Sequence, residues 1–409
     1  MVTDVIIIGG GAAGLCSAVY LKKNNPKLTV RILESGTRVG KKLALTGNGR
    51  CNITNKNISL ENYHGSDVEF CRNALEKYDL EFTEDFFNSI GVPFVFEGDK
   101  GYPAGLQAAS VVDCLRFAAD ELGVITTFET KVTNIQISGG NYKLIADKLN
   151  FLAKNVIIAC GLLSGGDRLG CDGSMLNLLK KSGFKTVETT PAIVQIKTET
   201  DIVKQLKGIK IDAEASLKID GKVSRKEFGE VLFCDYGLSG PPIMQISREV
   251  SRTKGNCSIS LDILPEFTFN EIRETLTKRC KDLYYRTADE FFTGFLNKRL
   301  GQVILKNIGV KLTDSVKNLN DSQIKKLASV LKNFEFNVVG TTGFSNSQVT
   351  AGGLATSGFN PNTMESKECK GLYAVGEILD IDGDCGGFNL QWAWSSSFAA
   401  CDNILEGKL

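Results

Sequence analysis

Three glycines and one glutamate combine residue type and spacing in a way that carries chemistry. Gly9, Gly11 and Gly14 stand in Gly9-Gly10-Gly11-Ala12-Ala13-Gly14, which fits G-x-G-x-x-G, and Glu34 follows twenty residues after the last of them. Gly9 permits a tight turn, Gly11 lets the backbone approach a pyrophosphate, and Gly14 lets a helix lie close to the preceding strand. A carboxylate at the distance of Glu34 accepts hydrogen bonds from an adenosine ribose. Its charge argues against a 2′-phosphate, and so against NADP at this site. An ordinary glycine-rich turn has no need of the acid; the chemistry implied is dinucleotide binding.

The elements that must position these residues surround the motif. Val2–Ile8 is apolar and β-branched, the texture of a strand buried on both faces of a parallel sheet. Ala12–Asn24 reads as a helix that aims its free N–H groups and positive dipole end at a diphosphate. Residues 29–33 form a second apolar run that delivers Glu34. Residues 35–55 hold too many Gly, Asn and Thr for a regular element, and a long ordered loop of this kind is usually functional. Backbone N–H groups freed by Gly47 and Gly49, with Lys41, Lys42 and Arg50, could ring the phosphates and ring edge of a large cofactor. A solvated basic loop accounts for the charges alone.

Composition narrows the class. The 409 residues suffice for two or three domains, and 48 Lys and Arg against 47 Asp and Glu give a net charge of +1, which points to neither nucleic acid nor an anionic membrane. No apolar stretch nears the roughly 20 residues of a membrane span. The N-terminus lacks a basic leader, so a signal peptide is not expected. Twelve cysteines without a C-x-x-C pair suggest reduced thiols in a cytoplasmic protein. The one histidine, His64, leaves a Ser-His-Asp triad and a multi-histidine metal site almost excluded, and reads as a surface loop residue. No metal is expected.

Four separated stretches give a resemblance. Gly40-Lys41-Lys42 with Thr46-Gly47-Asn48-Gly49-Arg50-Cys51-Asn52-Ile53-Thr54-Asn55 is similar to the signature loop of a bacterial flavoprotein family of NAD(P)/FAD-dependent oxidoreductases, which includes an aminoacetone oxidase and proposed reductases of bile-acid enones; Asn48 replaces the usual glycine. The segment 229–242 resembles the family's second signature, with Cys234-Asp235 in place of Thr-His. Residues 349–354 and 363–367 match the family pattern, as does 371–380. Ala159-Cys160-Gly161 resembles the Ala-Thr-Gly strand end of FAD proteins of the glutathione-reductase type.

The resemblance implies an α/β fold: a Rossmann-like FAD-binding domain, discontinuous over 1–190 and 350–409, with an inserted β-barrel-like domain over 191–265 and 333–349 and a small helical subdomain over 266–332. It implies the cofactor-binding set Gly9, Gly11, Ala12, Ala13, Gly14, Glu34, Ser35, Lys41, Lys42, Thr46, Gly47, Gly49, Arg50, Cys51, Asn52, Val132, Ala159, Gly161, Gly376, Glu377, Gly386, Gly387, Phe388, Asn389 and Leu390. Gly376-Glu377 would hold ribityl and phosphate groups. Gly386-Gly387 opens a final helix to about residue 403, whose positive end would stabilise negative charge on a reduced flavin.

The remaining chain yields expectations of elements. Helices are predicted over 68–78, 84–90, 110–122 with Ser110 as cap, Ser174–Lys181, 271–280, 287–300, 301–307 and 321–331 with Asp321 or Ser322 as cap. Strands are predicted over 93–96, 126–134 and the run to 146, 155–159, 192–195, 213–219, 230–233, Cys257–Asp262 and 334–339. The segment 165–170 reads as a loop, not a second dinucleotide site. Phe82, Phe86, Phe87, Phe94, Phe96 and Tyr102 wall a substrate cleft or, the commoner role of such spacing, fill the core.

The function implied is an FAD-dependent oxidoreductase that exchanges hydride between flavin N5 and a small or steroid-sized organic substrate. An NAD(P)H-linked reductase comes first and an oxygen-using amine oxidase of the aminoacetone type second; from another class, a flavin-bound sensor without turnover fits too. NAD(P)H would be a transient co-substrate. Cys51, Tyr102, Asp235 and Tyr236 are the candidate catalytic residues; Cys160 reads as a small buried thiol.

Overall fold

In the computed structural model, which describes residues 2–138, 140–146 and 149–407, the apolar run Val2–Ile8 is an inner strand of a seven-stranded sheet. It pairs in parallel with Val30–Leu33 on one side and Leu149–Ile158 on the other, and Ile125–Thr127 extends the parallel part beyond Val30–Leu33. Leu372–Ala374 also joins Leu149–Ile158 in parallel, so both ends of the chain contribute to one sheet. Val132–Ser138 and Asn141–Ala146 continue it as an antiparallel ribbon. Val5, Ile6 and Ile7 are fully buried, as a strand covered on both faces requires.

The chain divides into two units, Met1–Pro191 with Phe344–Leu409, and Ala192–Gly343. In the first, the helix Ala12–Asn24 packs on the C-terminal helix Phe388–Glu406. Tyr20 meets Phe398 with ring centroids 4.9 Å apart, and the Ser397 hydroxyl donates to the Ala13 carbonyl. Trp392 and Trp394 are buried in the C-terminal helix, and their indole N–H groups donate to Gly376 and Ile53 carbonyls, so neither brings an unpaired donor into the core.

The second unit is a closed barrel. Ile196–Thr198, Gly237–Ser239, Lys222–Phe233, Lys210–Ile219, Cys257–Asp262 and Phe334–Thr341 follow one another around it, and the last pairs back onto the first. The helices Pro241–Arg252, Phe269–Asp282, Lys298–Asn307 and Asp321–Lys332 share one apolar core with the barrel.

Several elements differ from the sequence expectations for physical reasons. The predicted helix 287–300 is a short turn, Ala288–Glu290, then a break at Gly294 with φ +80°, before Asn297 caps Lys298–Asn307. The cap of Asp321–Lys332 is Asn320, in a reciprocal capping box with Gln323, not Asp321 or Ser322. Ser110 lies inside its helix, Ala108–Glu121, with its hydroxyl on the Gln107 carbonyl. The predicted helix 84–90 starts earlier, at Leu80, because Asp79 caps it through the Phe82 N–H. Strand 192–195 is replaced by Thr186–Ala192 and Ile196–Thr198. Pro241–Arg252 was not predicted, although two prolines at a helix start are a readable signal. No helix among the described residues is long and apolar enough to cross a membrane.

Candidate functional site

Gly9 to Gly14 turn the chain from strand to helix at the carboxyl end of the inner strand Val2–Ile8. A Cβ at Gly14 would stand 1.9 Å from the Gly9 carbonyl oxygen, so helix and strand come this close only without a side chain there. Gly11 is different: the nearest protein atom to its Cβ would be the Ala159 oxygen at 3.9 Å, leaving room for a ligand. The helix Ala12–Asn24 starts with no side-chain cap and no acid in its first turn, so its N–H groups face outward uncompensated. Glu34 lies beside them. Its carboxylate accepts from Gly10 N–H at 2.8 Å and Gly36 N–H at 2.6 Å. Val132 begins its strand two residues after Thr130, whose N–H donates to the Glu34 carbonyl.

Loop 36–50 adds the cations Lys41, Lys42 and Arg50 to this turn. Lys41 borders Glu34 at Gly36, where a Cβ would meet the Lys41 Nζ at 2.7 Å and a Glu34 oxygen at 3.0 Å. Lys42 pairs with Glu377 and hydrogen-bonds to Ser164. Glu377 also accepts from the Ser164 hydroxyl at 2.5 Å and from Thr350 N–H at 3.1 Å, while the Thr350 hydroxyl oxygen accepts from Ser164 N–H at 2.9 Å. Arg50, at the far end, pairs with Glu97 and lies 4.4 Å over the Tyr102 ring. Ser164 and Thr350 were missed as site residues; their chemistry is ordinary, and only folding joins them.

The far end is laced to the C-terminal helix. Asn55 donates to the Gly386 carbonyl at 2.8 Å, the Thr54 hydroxyl to Gln391 at 2.6 Å, and the Tyr63 hydroxyl to the Phe388 carbonyl at 3.1 Å. Gly387 has φ +101°, and a Cβ on it would stand 2.4 Å from the Thr54 oxygen, so glycine is required. The helix again starts without a side-chain cap or an acid in its first turn. Beside it the Asn52 side-chain oxygen is buried with no donor among the described residues. Asn389, by contrast, is spent on its own turn: its amide bridges the N–H and carbonyl of Gly383. Asn48 has φ +54°, the left-handed conformation that glycine, and next to it asparagine, adopts most readily.

The candidate catalytic residues differ in their surroundings. Cys51 is fully buried, and burial pushes its thiol up to about 12, so it is no thiolate near neutral pH. Cys160 is likewise raised to about 12 by burial. Asp235 and Tyr236 lie in the second unit. Asp235 is exposed and paired with Lys207 at 2.6 Å, which holds its carboxyl below the usual range; burial and a hydrogen bond with Cys234 push Tyr236 up. Tyr102 lines a cleft of about 480 Å³ with Asn55, Asn57, Asn62, Lys100 and Phe388. Its ring is 8% exposed, its phenol is pushed up by burial, and its hydroxyl has no partner among the described residues. Phe86 and Phe87 instead fill the core, where Phe82 packs against Tyr20, Tyr78 and Phe398. His64 is not a free surface residue: it is hydrogen-bonded to Asp384 at 2.8 Å in a short strand pair.

Two uncapped helix starts, an acid beside the first, cations between them and an orphaned buried acceptor beside the second suit an elongated dinucleotide with its diphosphate at one end and a hydrogen-bonding ring at the other. The family described as HI0933-like protein Rossmann domain matches residues 3–403. A protein of Clostridium scindens named 3-dehydro-bile acid delta(4,6)-reductase is 34% identical over 397 residues, 96% of this chain and 97% of that protein. A ribosomal RNA dihydrouridine synthase of Haemophilus influenzae is 28% identical over 98% of each chain. Among solved structures, the 3-ketosteroid delta1-dehydrogenase of Sterolibacterium denitrificans shares the fold, with TM-score 0.52, 12% identity and 99% of both chains covered. The match over residues 3–403, with 34% identity across nearly the whole length of a relative, makes this chain a member of the HI0933-like family of Rossmann-domain proteins.

Proposed function

We propose that this FAD-dependent oxidoreductase saturates a carbon–carbon double bond conjugated with a carbonyl group, with NAD(P)H as the electron source. The observation that carries the reading is the unpartnered Tyr102 hydroxyl in a cleft that Phe388, the first residue of the C-terminal helix, also lines. Reduction of a conjugated double bond needs a hydride at the β-carbon and a proton at the α-carbon. Tyr102 is the proton donor. The names of the relatives support the same chemistry: a delta(4,6)-reductase of a 3-dehydro bile acid and a synthase of dihydrouridine both saturate a double bond conjugated with a carbonyl.

In this reading Glu34 holds the adenosine ribose, and the start of the helix Ala12–Asn24, with Gly11, holds the diphosphate. Lys42, fixed by Glu377 and Ser164, supplies positive charge between the two ends. The start of the C-terminal helix and Asn52 hold the ring, and Ala159, Gly161 and Val132 line the cofactor's path. Bound there, FAD supplies hydride exchange at N5. Asn55 and Lys100, beside Tyr102, orient the substrate carbonyl.

A small conjugated ketone is the first substrate class. A second is uracil within RNA, favoured by two relatives named ribosomal RNA dihydrouridine synthase, at 28% and 27% identity over 98% and 99% of this chain. The near-neutral net charge is therefore no exclusion of nucleic acid.

Anaerobic stopped-flow spectroscopy tests the reading. The reduced protein is mixed in turn with a 3-keto-4-ene steroid, a uridine-containing oligonucleotide and air, and the oxidised protein with primary amines. Recovery of flavin absorbance by either conjugated acceptor faster than by air is expected. Reoxidation by air alone, with bleaching by an amine, would replace the reductase by an oxidase; inertness throughout would leave a binding protein.

A further inference from the structure

The net charge of +1 hides an asymmetry: residues 192–343 hold 24 Lys and Arg against 19 Asp and Glu, while the rest of the chain holds 24 against 28. Within this basic unit, the helix Phe269–Asp282 runs into two exposed aromatic rings, Tyr284 and Tyr285, 58% and 68% accessible. Their centroids are 5.7 Å apart with the planes at 90°, and the Arg286 guanidinium lies 5.7 Å over the Tyr285 ring. Adjacent in the chain and in edge-to-face contact, the two rings form an exposed aromatic surface with an arginine lying on it.

We propose that this surface docks single-stranded RNA. Lys278, Lys281, Arg286 and Lys317 have no carboxylate partner among the described residues. Lys317 belongs to the patch because its neighbour Val316 donates its N–H to the Arg286 carbonyl at 3.0 Å, and the Ser315 hydroxyl donates to the Tyr284 carbonyl at 3.3 Å. Arg279 beneath them is held below its usual value by burial and then by the charge of Arg286, so the cations crowd one another. The opposing acids are Glu274, one turn before Lys278 on the same helix, with Asp282, Asp289, Glu290 and Asp314. Asp289 and Asp314 are engaged locally, by the Thr287 hydroxyl at 2.5 Å and the Lys311 N–H at 3.2 Å.

Cations that track phosphates beside aromatic faces that stack bases are the two parts of a single-strand platform, and arginine on an aromatic ring adds to the stacking surface. A duplex offers the cations the same phosphates but keeps its bases from the tyrosines. Unstacked bases are the normal state of RNA loops and ends, whereas cellular DNA is paired, so RNA is the partner that fits. The hydrogen bonds from Ser315 and Val316 fix the backbone under both rings, so the platform is formed before the strand arrives.

The proposal stands on binding alone, so it holds or fails whatever the flavin reduces. Full-length, FAD-loaded protein is titrated into a fluorescein-labelled 12-nucleotide single-stranded RNA, and anisotropy is followed across potassium chloride concentrations. Affinity should fall with salt at a log–log slope of about −0.7 per phosphate neutralised, near −3 for four cations. Y284A and Y285A should each weaken binding about tenfold with the slope unchanged, since stacking carries no counterion term. K281E with R286E should flatten the slope by more than about 1, and K325E with K326E, exposed lysines on another helix, should leave both quantities unchanged. Absence of binding at low salt would overturn the proposal. So would binding indifferent to the tyrosines, tighter binding to duplex than to single strand, or anionic vesicles as effective competitors.

Discussion

Lys42 and Glu377 lie 335 residues apart in the chain and meet as an ion pair, with Ser164 hydrogen-bonded to both. Glu377 has one oxygen on Lys42 and the other on Ser164 and Thr350, so most of its accepting capacity is used within the protein. Lys42 has three N–H donors, two of them used, and the third is the group that can meet a ligand. In the proposed reading Glu377 acts first by fixing Lys42.

From this follows a coupled pair of variants. Lys42→Met leaves a carboxylate without its cation, and Glu377→Gln leaves an ammonium without its anion. Removing one partner of a fully buried pair costs about 3–5 kcal/mol. With Lys42 29% and Glu377 17% exposed, solvent screening reduces this to about 1–3 kcal/mol. Urea unfolding of the apo-protein measures it, and the double variant should cost less than the sum of the singles. Strict additivity would mean that the pair carries no coupling.

Two glycines of one motif should behave in opposite ways. Gly14→Ala drives a methyl into the Gly9 carbonyl, 1.9 Å away, and should destabilise the apo-protein by about 1–3 kcal/mol. Gly11→Ala meets nothing nearer than 3.9 Å and has φ −82°, so apo stability should change by about 0.5 kcal/mol or less. Its FAD affinity should still fall about tenfold or more, because the methyl takes the place of the approaching diphosphate. Equal flavin affinity in Gly11→Ala and wild type, by fluorescence titration, would remove the diphosphate from this turn.

This contrast also marks what was legible in the sequence. The placement of Gly14 and Glu34 around the turn was readable because strand, glycine turn, helix and acid lie within one continuous stretch, where spacing alone fixes geometry. Strands of the inserted domain were readable as short runs divided by turn residues, while their closing into a barrel followed from the family resemblance. Ser164 and Thr350 were not, since a hydroxyl gains its role only from the long-range pairing that brings it to Glu377. His64 was misread for the same reason: its partner, Asp384, stands 320 residues away. Helix boundaries failed where a cap competes with propensity, as Asn297 and Asn320 do here.

Cys51 should be chemically silent. With its thiol raised to about 12, the thiolate fraction at pH 8 is on the order of 10⁻⁴, and the side chain is fully buried. Alkylation by iodoacetamide, mapped by peptide mass spectrometry, should label Cys51 only on unfolding. Rapid labelling of the native protein at pH 8 would restore it as a redox candidate.

Acid should cost the protein the contribution of Asp172. Burial raises this carboxyl, but hydrogen bonds from Lys131 and Ser174, with the Lys131 charge, outweigh it and hold the folded value at about 2 against a reference of 3.8. A group depressed on folding contributes its stability above the unfolded pKa and loses it as pH falls through the folded one. The stability difference between wild type and Asp172→Asn should therefore be full above about pH 4 and gone near pH 2. Urea midpoints across that range measure it, and a difference independent of pH would mean that the pair with Lys131 contributes nothing.

Tyr102 gives the sharpest test of the chemistry. Its ring is fixed by burial and by Arg50 at 4.4 Å, and its hydroxyl has no partner among the described residues, so its proton is free for a substrate. Tyr102→Phe keeps the ring and removes that proton. Flavin content and reduction by NAD(P)H should stay at wild-type values, while reoxidation by a conjugated ketone falls about 10²–10⁴-fold, the range of a lost general acid. Burial raises the phenol and the Arg50 charge lowers it, so Arg50→Met should raise it further and move the alkaline limb of the enone half-reaction to higher pH. A Tyr102→Phe enzyme that reduces the ketone at the wild-type rate, with the limb unmoved by Arg50→Met, would assign the proton to solvent and leave Tyr102 a wall of the cleft.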